Sequence, residues 1–484
     1  MTTAAPPRGR VLQNFGVILG GELVGQLIAF IVGVYLARTL GAQDFGVLVF
    51  ASTLILYLLV FVDGGTESWG TREVGARQSL LRETVKNILV VRACLGGVVT
   101  LLLVALAHFA GPDRQWALIA GIASIVAFVL QTNWAHRALE SAAPAGALLF
   151  QRLLFLVLAV SLIRSVDQAP EAILLQGVAE VAAAVLLLGM LRVRLRGQSG
   201  AVSRGSLIAL LRSAWPFCAS RALRGLPVAV VTAGLSFFWL DAETGYFGAA
   251  FRVAMLLLVA GSSFGLATFP ALTRAGAIGG EAEVKAVSAV VRLLAIVVLP
   301  VAVGGIILAQ PLIEFLFARV YVLATGPLQL LFVSMLLAAL SDNLRRVLHV
   351  RRRQHEDLVY VAASTGVALL SAVALLPNGG ALGASAALLI GEAVLLVVVW
   401  RALYRGSENW TALKRDFGAA AIVSVLVAAC ALVGALLPFV AAAGLVALAY
   451  VAALWRLRAS IAADLATLDI APLFGAAGVA KDRG

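Results

Sequence analysis

Residues 45–72 read FGVLVFASTLILYLLVFVDGGTESWGTR, an apolar run that stops at Asp63-Gly64-Gly65 and closes on Thr71-Arg72. The run over 46–62 is long enough for a helix that crosses a bilayer, which takes about 20 residues with a range near 17–25. Moving the stretch 202 positions along the chain lays Phe45, Gly46, Leu54, Leu56, Thr66, Thr71 and Arg72 on Phe247, Gly248, Leu256, Leu258, Thr268, Thr273 and Arg274. Leucine on leucine carries little weight in an apolar chain. A Phe-Gly opening and a Thr-Arg closing in the same hairpin carry more. The stretch therefore gives both the building unit, an apolar helix, and the plan, a repeated set of such helices.

Composition extends that reading to the whole chain. Of 484 residues, 62% are hydrophobic and only 13% are charged, with a mean hydropathy of +1.00. Soluble domains carry about 25% charged residues, so this is an integral membrane protein. The net charge of +12 does not point to nucleic acid, because the basic residues gather in short segments between apolar runs and act as topology signals. Cys94, Cys218 and Cys430 sit far apart inside apolar runs, a spacing that suits neither a metal nor a redox pair. No Walker-type GxxxxGK[ST], HExxH or long Gly-rich phosphate loop occurs, so neither a nucleotide, a metal nor another cofactor is expected. The basic and then apolar N-terminus runs on to Ala37 without a cleavage signature, which reads as a retained first span.

Fourteen spans follow from the length rule: 12–37, 46–62, 87–108, 116–132, 145–163, 171–191, 214–239, 246–269, 287–309, 322–341, 358–376, 381–403, 417–437 and 439–456. Alternate connections are basic, among them Arg72, Arg77, Arg82 and Lys86, then Arg192, Arg194, Arg196 and Arg204, then Arg345, Arg346 and the RRR at 351–353, then Arg401, Arg405, Lys414 and Arg415. The opposite connections are short (GAQDFG, SVDQAPE, LDAETG, LPNGGA), and Arg38, Arg114, Arg164 and Arg319 are their basic complement. The positive-inside rule then places both termini in the cytoplasm. The tryptophans at 69, 116, 134, 215, 239, 400, 410 and 455 fall at span ends, as an interfacial belt requires.

Both copies of the repeated hairpin begin outside and end inside, so the repeat is parallel, about an axis along the membrane normal. The expected fold is all-α. It has two pseudo-symmetric six-helix lobes around a central cleft, 1–206 and 207–404, followed by two extra spans and a cytoplasmic tail in 405–484.

The loop assignment singles out three basic residues inside spans: Arg221, Arg224 and Arg252. A charge in a span costs roughly 3 to 10 or more kcal/mol, depending on its reach to water. Arg221 and Arg224 share a helix face between Pro216 and Pro227, so a kinked or locally unwound helix is expected there. Guanidinium groups suit phosphate through planar bidentate hydrogen bonds, which makes the three arginines candidate binders of an anionic head group. Snorkelling to the nearer interface is the plainer alternative. Glu22 with Gln26, Glu180 with Gln176, and Glu392 lie near mid-span. Buried carboxylates suit proton or sodium coupling, and simple interhelical hydrogen bonding is the alternative. Asp63 and Glu67 are expected to pair with Arg72 or Arg77, and His108 to be structural.

LARTLGAQDFGVLVF (36–50), FVDGGTESWGTREVG (61–75), GYFGAAFRVAMLL (245–257) and ATFPALTRA (267–275) together resemble the polysaccharide and oligosaccharide-lipid flippases of the multidrug/oligosaccharidyl-lipid/polysaccharide exporter superfamily. The resemblance covers roughly residues 10 to 400. It implies a flippase that moves an undecaprenyl-diphosphate-linked oligosaccharide from the cytoplasmic to the periplasmic leaflet by alternating access. It also implies that Arg221, Arg224 and Arg252 hold the diphosphate or acidic sugars, and that a gradient of H+ or Na+ resets the cycle. Membrane lipid and polysaccharide-assembly proteins are the other implied partners. Where the family often shows a Phe-Gly-x-x-Tyr turn, this chain has Ala318-Arg319 within EFLFARVYVLA (314–324).

Other readings share much of this pattern. A peptidoglycan-precursor flippase also has about fourteen spans and a cationic cleft. A cation-coupled multidrug exporter of the same superfamily usually takes cations, which three arginines would repel. A membrane glycosyltransferase or polymerase needs a sizeable periplasmic loop for its catalytic groups, and every outside connection here is short, so the chain reads as a non-enzyme.

Overall fold

The computed structural model describes residues 8–194, 204–403, 409–434 and 437–468. The helices are α1 (Arg8–Asp63), α2 (Thr66–Ala76), α3 (Leu81–Phe109), α4 (Pro112–Ala120), α5 (Ile122–Leu130), α6 (Asn133–Ala138), α7 (Ala143–Leu162) and α8 (Ala169–Arg194), then α9 (Arg204–Phe238), α10 (Asp241–Ile278), α11 (Gly280–Ile307), α12 (Ala309–Phe317), α13 (Thr325–Val350), α14 (Gln354–Leu403), α15 (Asn409–Gly434) and α16 (Phe439–Thr467). No β-strand occurs among the described residues. In lipid, a helix satisfies every backbone polar group within one segment, and the apolar composition drives the chain to that solution.

Among the described residues, twelve helical segments are long and apolar enough to cross a membrane, and two of these run to 44 and 50 residues. Each long segment contains a break, at Gly41 (φ 74°, ψ 176°) in α1 and at Gly380 (φ 50°, ψ −136°) in α14. Dividing each at its break gives fourteen candidate crossings among the described residues, and the protein is an all-α multi-pass membrane protein. Gly41 sits in the GAQDFG connection, where the backbone enters a region that only glycine occupies without strain.

The chain forms two compact units, Met1–Gly245 and Tyr246–Gly484. In the first, α1 packs on α7 and α9, and α5 and α7 pack on α8. In the second, α13 packs on α14, and α11 packs on α13 and α15. Helix α9 thus belongs with the first compact unit. The two repeated hairpins share buried Phe45 and Phe247 and buried Thr66 and Thr268, yet they end differently. The first stops at the left-handed Gly64-Gly65 turn, whereas the second runs on as helix through Pro270 to Ile278.

Three local expectations change. Helix α9 stays helical through Pro216 and Pro227, so its backbone is not unwound beside the arginines. Trp134 is 1% exposed and packs with Val74, Ile88 and Val91, so it is a core residue and no part of an interfacial belt. Arg345, counted as a loop charge, is buried in α13 between Asp342 (2.9 Å) and Asp357 (2.5 Å).

The departure at Ala318 has a structural cost. Its φ of 69° and ψ of 171° are the kind of backbone seen at Gly41, but with a Cβ attached. Phe317 and Tyr321 on either side are buried, with ring centroids 5.6 Å apart, and they fix the turn. Such a residue costs on the order of 1–3 kcal/mol, and glycine gives back roughly 0.4–1 kcal/mol through the unfolded chain. Ala318→Gly is therefore expected to stabilise the protein by about 1 kcal/mol, read as a higher midpoint in denaturant unfolding. An unchanged or lower midpoint contradicts the argument.

Candidate functional site

Five charged residues of the first unit converge where α1 ends. Asp63 closes α1, and the Gly64-Gly65 turn swings the chain into α2. A Cβ on Gly65 would fall on the carbonyl of Ala214, so α9 lies directly against this turn. The Cys218 thiol on the next turn of α9 reaches the Val60 carbonyl at 3.5 Å. That approach brings Arg221 over the carboxylates.

Arg92 of α3 is the centre of the network. Its Nη2 donates to Asp63 Oδ1 at 2.7 Å, its Nε to Thr66 Oγ1 at 2.8 Å and its Nη1 to the Gln131 carbonyl at 2.9 Å, and its plane lies 4.9 Å from the Phe128 ring centroid. Arg92 and Asp63 are each 1% exposed. A buried charge must be paired and hydrogen-bonded to be tolerated, and here both conditions hold. Asp63 Oδ1 also accepts from Thr66 Oγ1 (3.0 Å) and Glu67 N (3.1 Å).

The second oxygen of Asp63 faces α9. Arg221 Nη1 donates to Asp63 Oδ2 and to Glu67 Oε2, both at 3.2 Å, while Glu67 Oε1 takes Arg137 Nη1 at 2.9 Å. Arg221 is 48% exposed. Three guanidiniums (Arg92, Arg137, Arg221) against two carboxylates (Asp63, Glu67) leave a formal surplus of 3 − 2 = +1. Arg224, one turn further along α9, is also exposed. Each carboxylate thus holds two arginines, and in both cases one of the two is the exposed Arg221.

This pairing corrects the expectation for Asp63 and Glu67: their partners are Arg92, Arg137 and Arg221, not Arg72 or Arg77. Arg72 instead lies over the Phe217 ring at 5.8 Å. The count of three intramembrane arginines is also corrected. Arg92, Arg152 and Arg292 fall inside the spans 87–108, 145–163 and 287–309, flanked as VVRAC, QRLLF and VVRLL. A scan of each span for any charge finds them directly. Arg292 is held by Asp464 on α16 at 2.6 and 3.2 Å.

The remaining candidates stand apart. Glu22 and Gln26 are exposed on the first half of α1. Glu180 is half-buried, and its Oε1 accepts from Gln176 Nε2 at 3.0 Å. Arg252 on α10 and Glu392 on α14 belong to the second unit and are half-buried, and Glu392 Oε2 faces Ser341 Oγ at 3.4 Å. His108 lies at the end of α3, 5.5 Å from the Phe109 ring. Among the described residues, no group of three or more His, Cys, Asp and Glu is arranged to hold a metal.

The sequence profile of the family described as polysaccharide biosynthesis protein matches residues 11–275, which is 265 of 484 residues. No curated protein matches the sequence. Among solved structures, the lipid II flippase MurJ in an inward closed conformation is similar, with a TM-score of 0.69 at 10% identity, covering 92% of this chain and 99% of that one. An inward-facing multidrug resistance transporter of the MATE family in the MOP superfamily gives 0.62 at 20% identity, covering 79% and 96%. A MOP superfamily transporter from Pyrococcus furiosus, described as having a binding pocket of reverse polarity, gives 0.54 at 18% identity, covering 81% and 95%. The fold is that of these transporters, and the profile match over more than half the sequence shows that the chain belongs to the polysaccharide biosynthesis protein family.

Proposed function

We propose that the protein is a flippase for a lipid-linked, diphosphate-bearing oligosaccharide of polysaccharide assembly, which it moves from the cytoplasmic to the outer leaflet of a bacterial inner membrane. The observation that carries this reading is the shared custody of Arg221. When a phosphate oxygen takes Arg221, Asp63 keeps Arg92 and Glu67 keeps Arg137, so neither carboxylate is left bare. Swapping a carboxylate for a phosphate on a guanidinium keeps charge-assisted hydrogen bonds throughout, and the surplus positive charge favours the incoming anion. Arg224 supplies a second donor one turn away, and Arg252 serves the head group later in the cycle.

The cycle is alternating access, supported by the inward-facing and outward-facing descriptions of similar transporters. The repeat divides the transporting part into lobes 1–206 and 207–404, with both termini cytoplasmic. Glu22, Gln26, Glu180 and Glu392 are the candidates for coupling to a cation gradient. Assembly enzymes of the same polysaccharide are its natural partners. The family and the fold neighbours are transporters and flippases, so the protein is no enzyme. A second reading, a peptidoglycan-precursor flippase, is favoured by the fold match to the lipid II flippase over 92% of the chain. The net positive charge around Arg221 argues against a cationic drug.

The test is translocation of a fluorescent undecaprenyl-diphosphate oligosaccharide across reconstituted vesicles, with lipid II run in parallel. Arg221→Ala/Arg224→Ala is expected to lower the rate about tenfold or more, equivalent to about 1.4 kcal/mol, with the protein still folded. A folded double variant that flips at the wild-type rate would place the head group elsewhere. Faster flipping of lipid II than of the oligosaccharide lipid would select the second reading.

A further inference from the structure

A cavity of about 240 Å³ lies within the first unit between α1, α5, α7 and α8. Its wall carries Arg152 and Gln151 from α7, Glu180 from α8, Ser124 from α5, and Gln131 and Asn133 from the segment that follows α5. Arg152 lies nine residues into α7, roughly 13 Å along its axis. The cavity is separate from the Arg221 site. The two share one partition, because Gln131 and Phe128, which also line the cavity, hold Arg92 on their other side.

The polar groups of this cavity carry unmet demands. Arg152 Nε is buried with no acceptor, and so is Asn133 Oδ1 with no donor. Glu180 accepts one hydrogen bond from Gln176, on Oε1. Among the described residues, no ion pair or hydrogen bond joins Arg152 to Glu180, although both line the cavity. Arg152 and Glu180 are both half-buried and line the same pocket, so it presents one fixed charge of each sign to a ligand. A bare cation there is repelled by Arg152. A bare anion is repelled by Glu180. An occupant that carries both signs satisfies both, and the amides and the Ser124 hydroxyl can donate or accept around it.

We infer that this cavity binds a small zwitterionic group, with its phosphate or carboxylate on Arg152 and its ammonium on Glu180. A volume of about 240 Å³ is ample for a head group as small as phosphoethanolamine. Such a group reaches the protein either as a free solute or as the head of a zwitterionic phospholipid. The inference stands on the cavity alone and does not require that the protein flip an oligosaccharide lipid.

The experiment is thermal unfolding of the full-length protein in detergent with O-phosphoethanolamine, with ethanolamine alone and with inorganic phosphate alone, at matched ionic strength. A saturable rise in unfolding temperature is expected from phosphoethanolamine and from neither half. Arg152→Met and the near-isosteric Glu180→Gln should each weaken half-saturation about tenfold or more, the scale of losing one charged hydrogen-bond partner. An equal rise from ethanolamine or phosphate alone overturns the proposal, as does no rise from any probe or a rise that survives both substitutions. The three-probe comparison on the wild type decides the matter even if Arg152→Met fails to fold. Discs of phosphatidylethanolamine and of phosphatidylglycerol then separate the sources. Loss of the phosphoethanolamine effect only in the phosphatidylethanolamine discs identifies a lipid head, and an equal effect in both identifies a free solute.

Discussion

Arg92→Met is expected to destabilise the protein by about 3–5 kcal/mol, the usual cost of removing one partner of a buried ion pair. Asp63 is 1% exposed, so without Arg92 its charge has no route to water. It would depend on Arg221, whose own contact is longer, at 3.2 Å against 2.7 Å. The Gln131 carbonyl and the Thr66 hydroxyl would each lose a donor as well. Methionine fills much of the volume, so the loss reads out charge and hydrogen bonding rather than a cavity. Asp63→Asn should cost a similar amount, since it strands Arg92. The double variant should cost clearly less than the sum, because contacting partners are not additive. Reversible unfolding of the four proteins in mixed micelles measures the cycle. A single-variant loss below about 1 kcal/mol, typical of exposed pairs, would mean that water reaches this pair.

Gly65→Ala is expected to be nearly as damaging, for a backbone reason. Gly65 has φ 81° and ψ 5°, a left-handed conformation that costs a residue with a Cβ roughly 1–2 kcal/mol. The added methyl would also meet Ala214 C at 2.9 Å and Cys218 N at 3.0 Å. These are main-chain atoms of α9, so relief requires the helix itself to shift, and overpacking of that kind typically costs 1–3 kcal/mol. The two terms together give a loss of about 2–5 kcal/mol. Because α9 carries Arg221, the shift should also lengthen its contacts with Asp63 and Glu67. The expected result is a lower unfolding midpoint together with slower flipping by the protein that remains folded. Wild-type stability in Gly65→Ala would show that α9 does not press on this turn.

The two variants mark where sequence reading succeeds and where it stops. Fourteen crossings follow from hydropathy because the cost of placing a peptide or a charge in lipid depends on composition along one helix. The turns at Gly41 and Gly64-Gly65 lie in the LARTLGAQDFGVLVF and FVDGGTESWGTREVG motifs, since glycine at a positive-φ position is a local requirement. Arg92, Arg152 and Arg292 were equally visible inside their spans, and only counting each charge was needed to find them. Their partners were not visible in that way. Nothing near Asp63 in sequence names Arg92, 29 positions away, or Arg221, 158 positions away. The nearby Arg72 and Arg77 looked the natural choice and are not its partners. Trp134 misled for a related reason: its place at a span end is local, but its burial depends on α2 and α3 closing over α6.

The sequence by itself determined that the chain is an all-α membrane protein with a repeated hairpin and arginines in its spans, because hydropathy, helix length and glycine turns act over a few residues. Only the tertiary structure decided which charges neutralise one another. It seals Arg92 on Asp63, leaves Arg221 shared and half exposed, and sets Arg152 across a cavity from Glu180. The physical reason is range. A charge pays its desolvation cost wherever it sits in the chain, but the partner that offsets it is whichever side chain the helix packing brings within about 3 Å.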